Sequence, residues 1–465
     1  MTAYFARMSF PPGKPVLVIL LIAIGVGMTV VFRSSPARSD LVVWTFAESH
    51  ANSFRTAGSD GTPALTDTFS RAHGPSVEVK LINNRALDVR LISLFNSNAT
   101  GPRLPDLVEV EIGSVGKFFR PPVESVGFLP LNKFIERDGL RQQLVEARLT
   151  PWTKDGQVFG IPHDVHPVSL TYRKDLWEQA GVDLKTVRTW QEFHSAAKTY
   201  VAYWRGKTER PRYAIALPSV SADGVIQMLL QRGVNVVDAD NTVRLTDPRV
   251  AKTLVFYATL IAGENRVATD VTPGGVNWTR DLASGDVGAM LTPDWSVTYL
   301  RRYAPTLTGK LGMIPLPRFD PTDAPTATWG GTMIGIPRNA RDPEASWALL
   351  KHLYLTPQAL EARQRFTDIL PPVKSMWTDA RYDAPDPLYD GQRTGRVFTE
   401  LAAVVPGRTV TPFTHFGSAA LLVLMNRSQR HLATHGEADL EKNIQHWLEE
   451  AKSDLERRIA FGEFE

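Results

Sequence analysis

The sequence predicts an α/β protein built as two lobes. Three observations carry this. Short apolar or alternating runs of strand length recur along the chain. Well-capped amphipathic segments of helical period separate them. At 465 residues the chain is also long enough for more than one domain.

The elements follow in order. Arg7 and Lys14 precede an uncharged apolar run from Val16 to Phe32. As a helix it would span about 26 Å, close to a hydrocarbon core of about 30 Å. It predicts an N-terminal transmembrane or signal helix: an uncleaved anchor, or a signal peptide cut near Ser35–Ala37. Both readings send the rest of the chain across a membrane. "RSSPARSD" (33–40) reads as a linker. "LVVWTFA" (41–47) is a continuous apolar run, as in a strand buried on both faces. "SVEVKLI" (76–82) alternates as a half-buried strand, and "DLVEVEI" (106–112) is a third. Helical segments lie between these strands, so a parallel sheet with crossover helices is the natural build. Thr189 and Glu192 form a capping-box pattern. Asp247-Pro248, Asp342-Pro343 and Thr356-Pro357 each place an N-cap before a first-turn proline. Further strands are expected at 213–217, 287–291, 310–317 and 332–337. From Leu440 onward, Ile444, Trp447, Leu448, Ala451 and Leu455 keep helical spacing.

Composition excludes several chemistries. The chain has no cysteine, which removes disulfides, thiolate nucleophiles and Cys-ligated metals. Its net charge is only +3, with no basic run interleaved with aromatics, so nucleic acid is not an expected partner. No G-x-S-x-G elbow, H-E-x-x-H helix or G-x-G-x-x-G turn is present. No catalytic residue, metal ligand or cofactor is assigned.

One short stretch stands out. His163-Asp164-Val165-His166 lies between Pro162 and Pro167. The prolines favour extended backbone, where side chains three apart point to opposite faces. That disfavours one shared metal ion. The open readings are a polar pocket or hinge segment, a loop, a metal site and a catalytic base.

Several motifs, in order, resemble those of the extracellular solute-binding proteins of the carbohydrate, maltose-binding-protein-like class. "LVVWTFAE" is similar to the opening strand. "LPDLVEVEIGSVGKFF" (104–119) and "FLPLNKFIERDG" (128–139) resemble the next two segments. "TYRKDLW" (171–177) and "TWQEF" (189–193) fill the most specific pattern. "SGDVGAMLTPDW" (284–295) and "TWGGTMIGIPRNARDPEASWALLKHL" (328–353) resemble the closing ones. The resemblance runs from about Leu41 to about Ala460.

It implies a two-lobed type II binding-protein fold, each lobe a mixed sheet flanked by helices. The implied boundaries are 1–40 for signal segment and linker, 41–163 with 291–338 for the first lobe, and 164–290 with 339–465 for the second. It implies a monomeric, non-enzymatic subunit of an ABC transporter, free in the periplasm or tethered to the outer face of the cytoplasmic membrane through residues 16–32. The implied partners are a sugar or oligosaccharide and the permease subunits. A carbohydrate-active enzyme and a tethered sugar sensor remain as alternatives. Sugars present hydroxyl fringes and apolar ring faces, so carboxylates, amides and flat aromatics are the matching groups. The motif positions supply Trp44, Glu48, Glu111, Ser114, Asp164, His166, Asp294, Trp295, Trp329, Gly330 and Gly331. Trp329 is the aromatic expected to face the sugar. Trp177 and Trp190 are expected in the core, and His163 as a bystander.

Overall fold

The computed structural model describes residues 13, 40–96, 104–270 and 276–464. The apolar run at 16–32 and the cleavage motif near Ser35 lie outside the described residues. Among the described residues no helix is long and apolar enough to cross a membrane.

Twelve strands are present among the described residues. They are β1 (Leu41–Thr45), β2 (Val77–Leu81), β3 (Leu107–Glu111), β4 (Thr153–Lys154), β5 (Gln157–Val158), β6 (Ile161–Pro162), β7 (Val168–Arg173), β8 (Ile215–Ala216), β9 (Ala268–Thr269), β10 (Ala289–Pro293), β11 (Leu311–Pro315) and β12 (Thr332–Gly335). Two five-stranded sheets hold most of them, in the orders β2-β1-β3-β12-β6 and β11-β7-β10-β8-β9. β4 and β5 form a separate hairpin.

The first three strands lie where the apolar pattern puts them. β1 is buried along its whole length, as a central parallel strand must be, and β2, at the edge, is only half covered. β1 pairs parallel to β2 and β3. β12 then pairs antiparallel to both β3 and β6. In the second sheet β7 is flanked antiparallel by β10 and β11, while β10, β8 and β9 run parallel. Both sheets are therefore mixed.

Each sheet draws on segments far apart in the chain. Of 291–338, only β12 enters the first sheet. β10 and β11 need β7 as their antiparallel partner and stay in the second. The helices Pro343–Tyr354 and Pro357–Gln364 bury Trp347, Leu350, Leu353 and Ala359 in the first sheet's core, with Leu41, Val43 and Leu107. Only the later helices Thr414–His435 and Leu440–Phe461 reach the second core. There Leu424, Ile444 and Leu448 pack with Leu254, Tyr257, Trp177 and Trp190.

The caps form as expected. Thr189 and Glu192 make a reciprocal capping box on the helix Trp190–Trp204. Asp247, Asp342 and Thr356 each accept a backbone N–H at the start of a proline-led helix.

Candidate functional site

Strand direction places the candidate site. The carboxyl ends of β1 and β3 and the start of β12 lie at one edge of the first sheet. The start of β7 and the carboxyl ends of β8 and β10 lie at one edge of the second. Open α/β sheets present their ligand sites at this edge, because the connections diverge there and leave a crevice. The chain crosses between sheets at 163–167 and again at 316–331. These two crossings are zipped together: Pro167 bridges Thr328, Val168 N donates to Ala327 O, and Trp329 N donates to His166 O.

A buried polar network ties the crossings. Arg148, fully buried, donates through Nη2 to Asp164 Oδ1 at 2.7 Å and through Nη1 to Thr328 Oγ1 at 2.8 Å. Asp164 Oδ2 accepts the Thr332 N–H at 2.9 Å and faces His166 Nε2 at 3.1 Å. On its other side His166 Nδ1 donates to Asp294 Oδ1 at 2.7 Å. Asp294 also accepts the backbone N–H of Leu370 and of Trp295. Burial works against a charged imidazole, but the two flanking carboxylates prevail and push His166 up to about 9. Burial likewise opposes the Asp164 carboxylate, and His166 and Arg148 overcome it, holding the group well below the usual range. An Asp–imidazolium–Asp chain closed by a guanidinium leaves each buried charge paired.

Asp164, His166, Asp294, Trp295, Trp329, Gly330 and Gly331 are thus brought together. Their polar atoms are engaged largely with one another. Trp295 Nε1 donates to Trp329 O. In the fold, Gly331, at φ 150°, admits the Arg148 guanidinium, and Gly330, at φ 93°, admits the His166 and Trp295 rings. His166 itself takes a positive φ of 55°, so the segment is not extended throughout.

The remaining expected residues lie apart. Trp44 is buried with Ile82, Leu87 and Val108. Glu48 is exposed at the start of the helix Glu48–Arg55. Ser114 Oγ donates to Asp88 Oδ2, which also holds Lys117. Glu111, at the end of β3, caps the following turn by accepting the Gly113 N–H at 2.8 Å.

Between the two edges lies a cavity of about 660 Å³, within the usual size of a small-molecule site. Ile112, Gly113 and Lys117 line it from the first sheet's side, Val220, Ser221 and Asp223 from the second's, and Arg408, Val410 and Thr414 from the C-terminal segment. Burial raises the Glu111 pKa, and the Gly113 N–H and then the Arg408 charge only partly offset this. Burial lowers that of Arg408, against the pull of Glu111 and Asp223. A cation facing two carboxylates, with apolar walls between, supplies both donors and acceptors for a polyhydroxylated ligand. Arg148, Asp223 and Arg408 were missed in the sequence. Arg408, isolated in the "VPGRTVTP" loop, carried the one usable signal, a lone cation between prolines.

His163 turns away from His166. Its ring stacks on His50, centroids 3.8 Å apart and 24° from parallel. His50 Nδ1 donates to the buried Glu109, which also accepts from Thr45 Oγ1 and Tyr354 Oη. His50, Glu109 and His163 bring three metal-binding side chains within 4.8 Å. His50 Nδ1 is engaged by Glu109, whereas His163 Nδ1 is buried without a hydrogen-bond partner among the described residues.

Two mixed sheets, zipped crossings and a cavity at facing sheet edges make up an α/β fold with helices around the sheets. The chain belongs to the bacterial extracellular solute-binding protein family, whose model matches residues 65–386. That family is extracellular, which places the chain outside the cytoplasm. The arabinooligosaccharide-binding protein of Halalkalibacterium halodurans is 25% identical over 357 residues, covering 76% of this chain and 75% of its own. The lactose-binding protein of Rhizobium radiobacter is 26% identical over 319 residues, 67% and 71% of the two chains. Among solved structures, the sugar-binding protein MalE from Xanthomonas citri superposes with a TM-score of 0.69 at 20% identity, over 91% of this chain and 99% of that one. The cyclic α-maltosyl-1,6-maltose binding protein from Arthrobacter globiformis gives 0.67 at 20% identity, over 89% and 98%. These likenesses show the fold. The relatives and structures named are binding proteins, not enzymes.

Proposed function

We propose that the protein is the extracytoplasmic receptor of an ABC importer and captures an oligosaccharide in the cavity between its sheets. The observation that carries this reading is the cavity itself, lined by Asp223 and Arg408 from two separate segments, with Glu111 beside its wall and within electrostatic reach of both. The names of the two curated relatives, which bind an arabinooligosaccharide and lactose, support the sugar class. In this reading the lobes divide along the two sheets, and the zipped crossings at 163–167 and 316–331 form the hinge. The Arg148–Asp164–His166–Asp294 network fixes the hinge, while Glu111, Asp223 and Arg408 contact hydroxyls. Closure then follows from tighter binding to the closed state. The chain works as a monomer with permease subunits as partners, and residues 16–32 tether it or direct its export.

A thermal-shift screen of mono- and oligosaccharides tests the reading, because a ligand that binds only the folded state raises the melting temperature. A saccharide that stabilises the protein, binds by calorimetry and is recovered unchanged supports it. A screen in which no saccharide stabilises the protein, or one in which a glycoside is hydrolysed, overturns it.

A further inference from the structure

A second cavity, of about 320 Å³, shares no lining residue with the one given to the ligand. Its walls come from the helix Asp294–Tyr303 and from the segments 364–370 and 381–398. These elements abut the hinge. Asp294 turns Oδ1 to His166, and its Oδ2 accepts the Leu370 N–H at 2.7 Å. Leu370 lines the second cavity, and its carbonyl accepts the Val165 N–H from the first crossing. Leu370 and Tyr382 pack with Val165, whereas Val297 and Phe398 pack with Met290 and Leu311 of the second sheet. The cavity therefore lies where the hinge meets that sheet's core.

The charges around it are matched. Arg301 pairs with Asp368 at 3.2 Å and with Asp386 at 2.6 Å. The Thr298 and Thr394 hydroxyls donate to the same two carboxylates, each at 2.8 Å. Arg381 is held by Asp379. Two polar groups on the wall are left over. Tyr382 is only 8% exposed, and Tyr382 Oη and Gln364 Oε1 are both buried without a hydrogen-bond partner among the described residues. Burial pushes the Tyr382 phenol up to about 12, and Gln364 acts on it without reaching bonding geometry. The group is thus a neutral hydroxyl. Buried polar atoms are nearly always paired, because an unpaired one gives up its hydration for nothing. Two of them on one cavity wall call for an occupant. A single water takes up about 30 Å³, far less than this space.

We propose that this cavity is a second binding site, for one small neutral polyhydroxylated molecule of monosaccharide size. A hydroxyl both donates and accepts. Neighbouring hydroxyls can therefore donate to Gln364 Oε1 and pair with Tyr382 Oη. The matched charges favour a ligand without net charge. Val297, Ile369 and Phe398 supply apolar wall for its C–H groups. With about half the volume of the first cavity, the space suits a single ring or a short polyol.

The test is a thermal-shift series with L-arabinose, D-galactose, D-glucose and xylitol, then calorimetry on whichever stabilises wild type. The variants are Gln364→Met/Tyr382→Phe, Tyr382→Phe alone, which removes one hydroxyl and keeps the ring, and Arg408→Gln in the first cavity. One of these probes should bind wild type. Tyr382→Phe should weaken it about tenfold, the scale of one hydrogen bond in a site closed to water, and the pair should abolish it. Arg408→Gln should bind that probe as wild type does. A wild-type protein that responds to none of the probes holds only water there, which overturns the second site. So does a probe bound by the Gln364→Met/Tyr382→Phe pair as tightly as by wild type. A probe weakened by Arg408→Gln alone belongs to the first cavity and overturns it as well. The reading of the first cavity rests on oligosaccharides and stands through each of these results.

Discussion

His166 makes the protein's stability depend on alkaline pH in a way that can be measured. Its ring lies between Asp164 and Asp294, and Arg148 holds the far side of Asp164. An ordinary imidazole titrates near 6.5, and this one is pushed up to about 9. Between these values the folded chain keeps a proton that the unfolded chain releases. The contribution is therefore complete below about pH 6.5, declines as pH rises through the window, and is gone above about 9. At about 1.4 kcal/mol per pH unit, that is about 3 kcal/mol. Urea unfolding at pH 6.5, 8 and 9.5 reads the decline directly. The control is His166→Gln, which removes the titration. That variant should start lower, by about 3–5 kcal/mol, because the buried Asp294 loses its cation and Asp164 one of its two. It should also lack the alkaline decline. Parallel decline in both proteins would refute the assigned charge state.

Gly331→Ala should destabilise the fold, since the new Cβ falls on Arg148 Nη2 at a backbone angle that disfavours side chains; an unchanged melting temperature would count against the network. Arg408→Gln should weaken saccharide binding about tenfold, the scale of a hydrogen bond to a charged group; calorimetry on the folded variant decides. Trp329→Ala should cost about 3–5 kcal/mol of stability in chemical unfolding, because its ring packs with Trp278 and Trp295 in the interior.

The first three strands were legible because their side-chain pattern is local and unambiguous. The proline-led helices were legible because a cap is a local device. The strand expected at 287–291 starts two residues late, at Ala289. Val287 makes only an isolated bridge to Tyr213. Gly288 is needed where it stands, since a Cβ there would press on Trp177 and Tyr200. Which sheet a strand joins was not legible. β11 and β12 are both short and apolar, and only their partners β7 and β3 separate them. The site was half legible. The motif around Asp164 and His166 marked the hinge. Arg148 gave no sign, because an isolated arginine in "VEARLTPW" acquires meaning only through Asp164 and Thr328.

The order of the first sheet also bears on how the chain reaches this state. Its central pairing sets Glu111 against Thr332 and Val108 against Gly335. The whole of β7 to β11 is made between those residues, and the helices that seal the first core follow later still. The N-terminal half therefore has no complete sheet to fold into until residue 335 is available. Closing so long a loop is entropically costly and slow. Until then β3 presents an unpaired edge. In the unfinished chain that edge stays open to pairing with a neighbouring strand until β12 covers it.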